Sequence, residues 1–372
     1  VVTFQGAEIS QPNHSFLIFS SDAQLTPDFG LVDQVMNNGL LSGGLMNFGI
    51  TNKHHYLLFT LENKSDLDGL CLDLGVPAID VVELYNVRKS KVELLLKTGQ
   101  TLDYSTRQNK YRDFAFNLQL KPDEENTYLI HLQSGEQLVL PLKFLGHDAL
   151  DQRKISQDIF FGMYVGIILV MFFYNLFILI STGERSYFYY ILYILSIGFA
   201  QITLQGYGFR FLWPETPKLA VLDTYVFGGL SGITVLLFAR DYLKTYEVSR
   251  IYDKLILGLV FIDLIAIGLS VFGWLNLSYN IINTVAGLGS LMLLGLSSFL
   301  GFVKGMRTAK FFLAAWSVFL ISVIVYILKD QGVVPYNDYT DNILLSGSAV
   351  EAVLLSLALA DKINILKSEA TL

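Results

Sequence analysis

The feature that most constrains this chain is a series of long uncharged runs in its second half. Ile159–Ile180 has no Asp, Glu, Lys or Arg over 22 residues, and Ser186–Phe209 none over 24. Leu219–Ala239 carries only Asp223. Leu264–Val303 is uncharged over 40 residues, too long for one crossing, and the polar stretch Trp274–Asn280 marks a turn between two. Phe311–Leu328 and Asn342–Asp361, the latter interrupted by Glu351, complete the set. A bilayer core about 30 Å thick is crossed by roughly 20 helical residues. These runs therefore predict seven transmembrane helices. Barrel strands would be shorter and alternating.

The first part of the chain is different. Residues 1–157 hold 13 Lys+Arg and 19 Asp+Glu, and all five histidines (His14, His54, His55, His131, His147) lie there. Short runs alternate with period 2: Tyr56–Asn63, Gly69–Leu74, Ile79–Tyr85, Lys91–Leu96, Phe114–Leu118, Tyr128–Leu132 and Leu138–Phe144. Turn signals separate them, which predicts a β-sandwich. Gln24–Asn37 reads as a short helix or an irregular stretch. The organisation expected is a sandwich over 1–150, a linker over 151–158, a seven-helix domain over 159–362 and the start of an inner helix over 363–372.

Across the whole chain only 16% of residues are charged, against about 25% in soluble domains. A wholly soluble enzyme is thereby disfavoured. The net charge of −7 argues against nucleic acid as a partner. The single cysteine, Cys71, excludes an intrachain disulfide and a Cys-rich zinc site. No P-loop, His-Glu-x-x-His or Gly-x-Ser-x-Gly is found. No catalytic residue, metal or cofactor is assigned.

Orientation follows from the basic residues of the short loops. With the sandwich outside, the inner segments hold Arg185, Arg240, Lys244, Arg250, Lys254, Lys304, Arg307, Lys310, Lys362 and Lys367, and the outer loops hold Arg210, Lys218 and Lys329. Ten against three places the sandwich outside and the C-terminal end inside. A sandwich outside needs an export signal, and the start Val1-Val2-Thr3-Phe4 lacks a basic n-region. A removed leader is the expectation.

Several segments, taken in order, resemble the bacterial seven-transmembrane receptors with diverse intracellular signalling modules. They are Phe161–Gly166 with Tyr174–Phe177, Glu184–Tyr190, Gly206–Gly208 with Trp213-Pro214, Phe238–Leu243, and Glu351–Ile363. In the outer part, Tyr56–Asn63 is similar to that family's sensor, a jelly-roll akin to carbohydrate-binding modules. The resemblance implies an all-β jelly-roll-like sandwich followed by an α-helical seven-transmembrane bundle. It implies a receptor of the bacterial inner membrane with a periplasmic sensor, a small periplasmic ligand with carbohydrate as the leading class, and a homodimer. It also implies a cytoplasmic output module, such as a diguanylate cyclase or histidine kinase, beyond Leu372. No His follows His147, so a kinase phosphoacceptor is not in this segment.

Candidate ligand-binding residues are the aromatics Tyr56, Tyr85, Tyr104, Tyr111 and Tyr128, although alternate aromatics more often fill a core. His54 and His55 would point to opposite strand faces and cannot share a metal from there. Asp66, Asp68 and Asp73 lack an EF-hand pattern and read as a solvated turn. Within the spans, Asp263 and Glu351 lie near mid-membrane, where a charge costs at least about 2.5–3.5 kcal/mol. With Asn175 and Arg240 they are the candidate relay residues; Asn175, Gln201, Gln205 and Asn283 are candidate partners for the two carboxyls. The alternative function is an ion- or proton-coupled transporter using Asp263 and Glu351; a scaffold whose sandwich binds another protein is the third. Gly162-x-x-x-Gly166, Gly228-x-x-x-Gly232 and Gly301-x-x-x-Gly305 are expected to serve packing inside the bundle. A tag before Val1 is expected to be protease-accessible only from outside and one after Lys362 only from inside; finding both on one side of sealed vesicles would overturn the odd number of crossings.

Overall fold

The computed structural model describes residues 1–10, 15–42, 44–88 and 91–370, with side chains as far as Ile363. His14 and residues 371–372 lie outside the described residues, as does the side chain of Lys367. The strands are β1 (Val2–Phe4), β2 (Ile9–Ser10), β3 (Leu17–Ser21), β4 (Leu40–Leu41), β5 (Met46–Ile50), β6 (His54–Asn63), β7 (Leu70–Asp73), β8 (Val81–Arg88), β9 (Lys91–Thr98), β10 (Ala115–Leu118), β11 (Glu125–Gln133), β12 (Gln137–Leu140) and β13 (Lys143–Leu145). The helices are α1 (Phe29–Asn38), α2 (His147–Thr182), α3 (Arg185–Leu204), α4 (Pro217–Tyr242), α5 (Thr245–Val248), α6 (Arg250–Val271), α7 (Leu275–Ser298), α8 (Arg307–Asp330), α9 (Asp338–Asp341) and α10 (Ile343–Ala370).

Two compact units result. One is Val1–Asp158 with Thr203–Val221; the other is Ile159–Ile202 with Leu222–Leu372. In the first, a seven-stranded sheet runs β4-β3-β6-β11-β8-β9, with β1 parallel to β6. A four-stranded sheet runs β10-β7-β13-β2, and β12 pairs with β5. Period 2 explains how the large sheet is covered on both faces. Leu57, Phe59 and Leu61 of β6, with Tyr128, Ile130 and Leu132 of β11, enter the main core with Leu70, Leu72, Phe116 and Phe144 from the smaller sheet. Tyr56, Leu58, Tyr85 and Leu129 point the other way, under Leu31, Val32 and Val35 of α1. Helix α1 begins where the Asp28 side chain accepts from the Leu31 amide at 2.9 Å, the N-cap arrangement.

One expectation needs correction. Leu138–Phe144 is two strands, because Pro141 has no N–H to give a ladder; β12 and β13 go to different sheets. Residues 151–158 form early turns of the 36-residue α2. Residues 203–221, which connect two membrane helices, cluster with the β unit. The first five strands, of two to five residues, give too little alternation to be seen in the sequence.

Among the described residues, seven helices are long and apolar enough to cross a membrane: α2, α3, α4, α6, α7 with its continuation to Val303, α8 and α10. Fine packing between them depends on glycines other than most of those expected. A Cβ on Gly162 or Gly166 would meet nothing within 4 Å, so that pair does not serve packing inside the bundle. A Cβ on Gly347 of α10 would fall 2.0 Å from Ser322 Oγ of α8, and one on Gly229 of α4 would fall 2.7 Å from Ile267 of α6. Those are the close approaches small residues permit.

Phe59 packs against Phe16, Tyr128 and Phe144 with ring centroids 4.9–5.6 Å apart. Phe59→Ala is expected to lower the opening free energy of the β6 and β11 amides by about 3–5 kcal/mol. Hydrogen exchange on the full chain in detergent measures it, with the α10 amides as the unaffected control.

Candidate functional site

The membrane unit keeps most of its interhelical polar contacts on α10. Glu351, 1% exposed, accepts from the Tyr193 hydroxyl of α3 through both carboxylate oxygens, at 2.8 and 2.7 Å. One residue on, the Ala352 carbonyl accepts from the Tyr190 hydroxyl. A turn later, Ser356 Oγ donates to Asn175 Oδ1 of α2 at 3.1 Å. Below it the Ala358 carbonyl accepts from Tyr242 of α4 at 3.1 Å. Toward the C-terminal end of α10, Lys362 Nζ donates to Ser186 Oγ at 2.6 Å, and Ser186 Oγ in turn donates to Asp241 Oδ2 at 2.7 Å. Lys362 also faces Glu184 at 3.4 Å, while Arg307 pairs with Asp361 at 2.8 Å. Positions 348, 352 and 356 recur at the helical spacing that keeps side chains on one face, and Ser348 lies 3.4 Å from the Tyr164 hydroxyl. The seam thus ties α10 to α2, α3 and α4. Beside it Tyr190, Tyr193, Phe238, Tyr242, Phe312 and Trp316 form a chain of ring contacts.

Of the four relay candidates, Asn175 and Glu351 lie on this seam; Arg240 and Asp263 do not. Arg240 forks onto Asp253 of α6 at 2.6 and 3.1 Å and lies 5.6 Å from the Tyr246 ring. It fixes the turn between α4 and α6. The Asp263 carboxylate meets α4 at Gly232, where a Cβ would come 2.8 Å from Oδ2; its Oδ1 has no hydrogen-bond partner among the described residues. Gly232 is therefore the gap that admits a carboxyl. Of the four candidate partners, Asn175 takes Ser356 instead of a carboxyl. Gln205 pairs with Arg112, Asn283 donates to the Tyr279 carbonyl at 3.0 Å, and Gln201 Oε1 is unpartnered among the described residues. Tyr193, the actual partner of Glu351, was hidden in the sequence as one of several aromatics in an apolar run.

In the β unit the five tyrosines are not brought together. Tyr128 is inside the main core. Tyr56 and Tyr85 lie under α1, and Tyr56 accepts from the Leu25 amide at 2.7 Å. Tyr104 packs edge-on to Phe209 at 5.4 Å, and Tyr111 donates to Asp151. Each is drawn into a separate contact rather than left on a shared open platform.

What does converge is a polar row across the large sheet. Glu83, 3% exposed, accepts from Lys97, Tyr85 and His131 at 2.8, 2.7 and 2.8 Å. His131 Nε2 and His54 Nδ1 are 2.9 Å apart, and the His131 ring stacks on Tyr56 at 4.8 Å. With Nδ1–H of His131 donating to Glu83, Nε2 is the acceptor for His54. Burial by itself pushes the Glu83 carboxyl up, but the three donors outweigh it and hold it near 2. Burial holds His131 below the usual imidazole range against the pull of Glu83. His55, on the opposite face, hydrogen-bonds Ser20 at 2.7 Å and touches Phe48; burial, then repulsion by His54 and His131, lowers it to about 4. Among the described residues no group of His, Cys, Asp or Glu is placed to hold a metal.

A strand-rich unit with seven helices long and apolar enough to cross a bilayer defines a multi-pass membrane protein. The family model described as 7TM diverse intracellular signalling matches residues 157–362, more than half of the chain. The model described as 7TMR-DISM extracellular 2 matches residues 32–145. The chain belongs to the seven-transmembrane receptors with diverse intracellular signalling. No curated protein matches it.

His55 gives a signed pH prediction. Its unfolded value lies near ~6.5 and its folded value near 4, so below ~6.5 the unfolded chain binds a proton that the folded one refuses. Stability of the β unit is expected to be whole above that pH, to fall between about 6.5 and 4, and to be reduced by the full His55 contribution below. Thermal melts of the full chain in detergent across this window check it, and His55→Gln is expected to flatten the slope.

Proposed function

We propose that this chain is the sensing and transmembrane part of a receptor in a bacterial inner membrane. The β unit faces the periplasm and binds a small ligand, with carbohydrate the leading class. The seventh helix, α10, carries the change to a cytoplasmic output module, a diguanylate cyclase or histidine kinase, and the receptor works as a homodimer. The chain itself supplies no catalysis in this reading. The membership stated above supports the receptor; the ten-to-three bias of basic residues supports the orientation.

The observation that carries the mechanism is the seam on α10. A helix whose polar partners belong to three neighbours responds when any of them shifts, and a ligand moves such an equilibrium only by its difference in affinity for the two arrangements. Interhelical contacts of this kind are individually weak, averaging about 0.6 kcal/mol. They bias a state without locking it, as a reversible switch requires.

The transporter reading has one feature in its favour, the unpartnered Asp263 Oδ1. Against it, no hydrogen bond or ion pair joins Asp263 to Glu351 among the described residues. Ion flux in proteoliposomes lost on Asp263→Asn would favour it.

With a reporter kinase joined after Lys362, Glu351→Gln and Tyr193→Phe are each expected to shift basal output about twofold to tenfold, the range that ~0.5–1.5 kcal/mol per hydrogen bond implies. Output indifferent to both changes and to deletion of residues 1–150 would overturn the proposal.

A further inference from the structure

The loop 203–221, taken with the end of α3 and the first turn of α4 that it includes, is built into the β unit. Its contacts there are close and mostly buried. Gly206 sits at φ +76°, and a Cβ on it would fall 2.4 Å from Pro77 Cβ, so only glycine fits the approach. The Gln205 side chain accepts from Arg112, which is 5% exposed. The Tyr104 amide donates to the Pro214 carbonyl at 3.0 Å, and Tyr104, Phe209 and Ala220 pack together with Trp213 against them. Arg107 lies 4.0 Å over Phe114 and 5.5 Å from the Phe209 ring. The loop also grips the start of α2: Tyr207 donates to Asp158 at 2.8 Å, and Arg210 reaches both Asp158 oxygens at 2.9 Å.

Behind this dock lies a buried set of paired charges. Lys154 of α2, 3% exposed, donates to Asp73 of β7 and to Asp113, each at 2.8 Å. Asp113 lies 3.4 Å from Arg112 Nε. Two carboxylates and two cations pair there, and the buried Arg107 adds its pull on Asp113. Burial would raise the Asp113 carboxyl, but Arg112 and Lys154 outweigh it and hold it low. Losing one member strands an unpaired buried charge, so the set moves whole or not at all. It binds a strand, the segment holding Arg112 and Asp113, the first turns of α2 and, through Arg112, the loop. The chain leaves the unit for the membrane at residues 158/159, 202/203 and 221/222, and the array and dock hold all three exits.

We propose that the loop 203–221 is a second input of the receptor, and that the Asp73–Lys154–Asp113–Arg112 array moves it together with the start of α2, so that the β unit drives α2, α3 and α4 at once. The inference rests on the receptor reading above.

The test uses the full chain in nanodiscs with single tryptophans. Trp213→Phe with Trp274→Phe leaves Trp316, which stacks on Phe312 in the bundle; Trp274→Phe with Trp316→Phe leaves Trp213 in the dock. Arg112→Gln is expected to raise hydrogen exchange over 203–216 at least tenfold, to red-shift Trp213 and to shift Trp316 emission. Arg112→Gln with Gln205→Arg, which exchanges donor and acceptor, is expected to restore all three. If Arg112→Gln alone does not fold, Lys154→Met with Asp73→Asn removes one opposite pair and leaves the net charge unchanged. That variant is expected to leave the loop protected and still shift Trp316, because the first turns of α2 lose their tie to β7 and keep only the loop's hold on Asp158. Loop protection that survives Arg112→Gln, or a released loop with Trp316 unchanged, would overturn the proposal. Failure of the receptor reading would look different: reporter output insensitive to Glu351→Gln while Trp316 still answers Arg112→Gln.

Discussion

A hydroxyl or carboxyl buried between helices in hydrocarbon has no water to fall back on, and that single constraint organises the membrane unit. It explains why Tyr193, Tyr190, Asn175, Tyr242 and Ser186 all reach for α10 or its side chains. Each is satisfied by a different neighbour, so the polar seam is also the register that fixes α10 among α2, α3 and α4. The aromatic chain from Tyr190 to Trp316 fills the space beside it with rigid rings. Rigid filling around a weakly bonded helix favours discrete arrangements over continuous bending.

The β unit solves a related problem with a two-faced sheet. Its central strands β6 and β11 are buried on both sides, by the smaller sheet and by α1. A fully polar row would be costly there. Glu83 is tolerated because Lys97, Tyr85 and His131 spend their donors on it, and the charge-assisted bonds are the strong kind. The same closure is seen at Lys154, where two carboxylates flank one ammonium.

What could be read from the sequence was whatever depends on neighbours along the chain. The seven spans are legible because exclusion of charge over about 20 residues has one cause, and β6, β10 and β11 because alternation survives over several residues. The missing parts depend on distant partners. Nothing local to Val2–Phe4 says that it pairs with Leu61–Asn63. Lys154 looked like a polar residue of a linker, since its two carboxylates lie 81 and 41 positions away. Tyr193 is one aromatic among many until Glu351 is placed beside it. For the tyrosines of the sandwich, residue type alone does not tell a binding face from a packed one, and the structure places the five in separate contacts. Gly206 was visible as part of Gly206-Tyr207-Gly208, but only Pro77 at close range shows what its missing side chain is for.

Because Pro77 and Gly206 interlock, the natural unit of exchange in this architecture is discontinuous. A sensor transplanted from a relative by a cut at residue 158 would arrive facing a foreign 203–221 segment, with Gln205 and Tyr207 replaced by side chains that never met its arginines. An exchange that keeps this packing intact has to carry both pieces together.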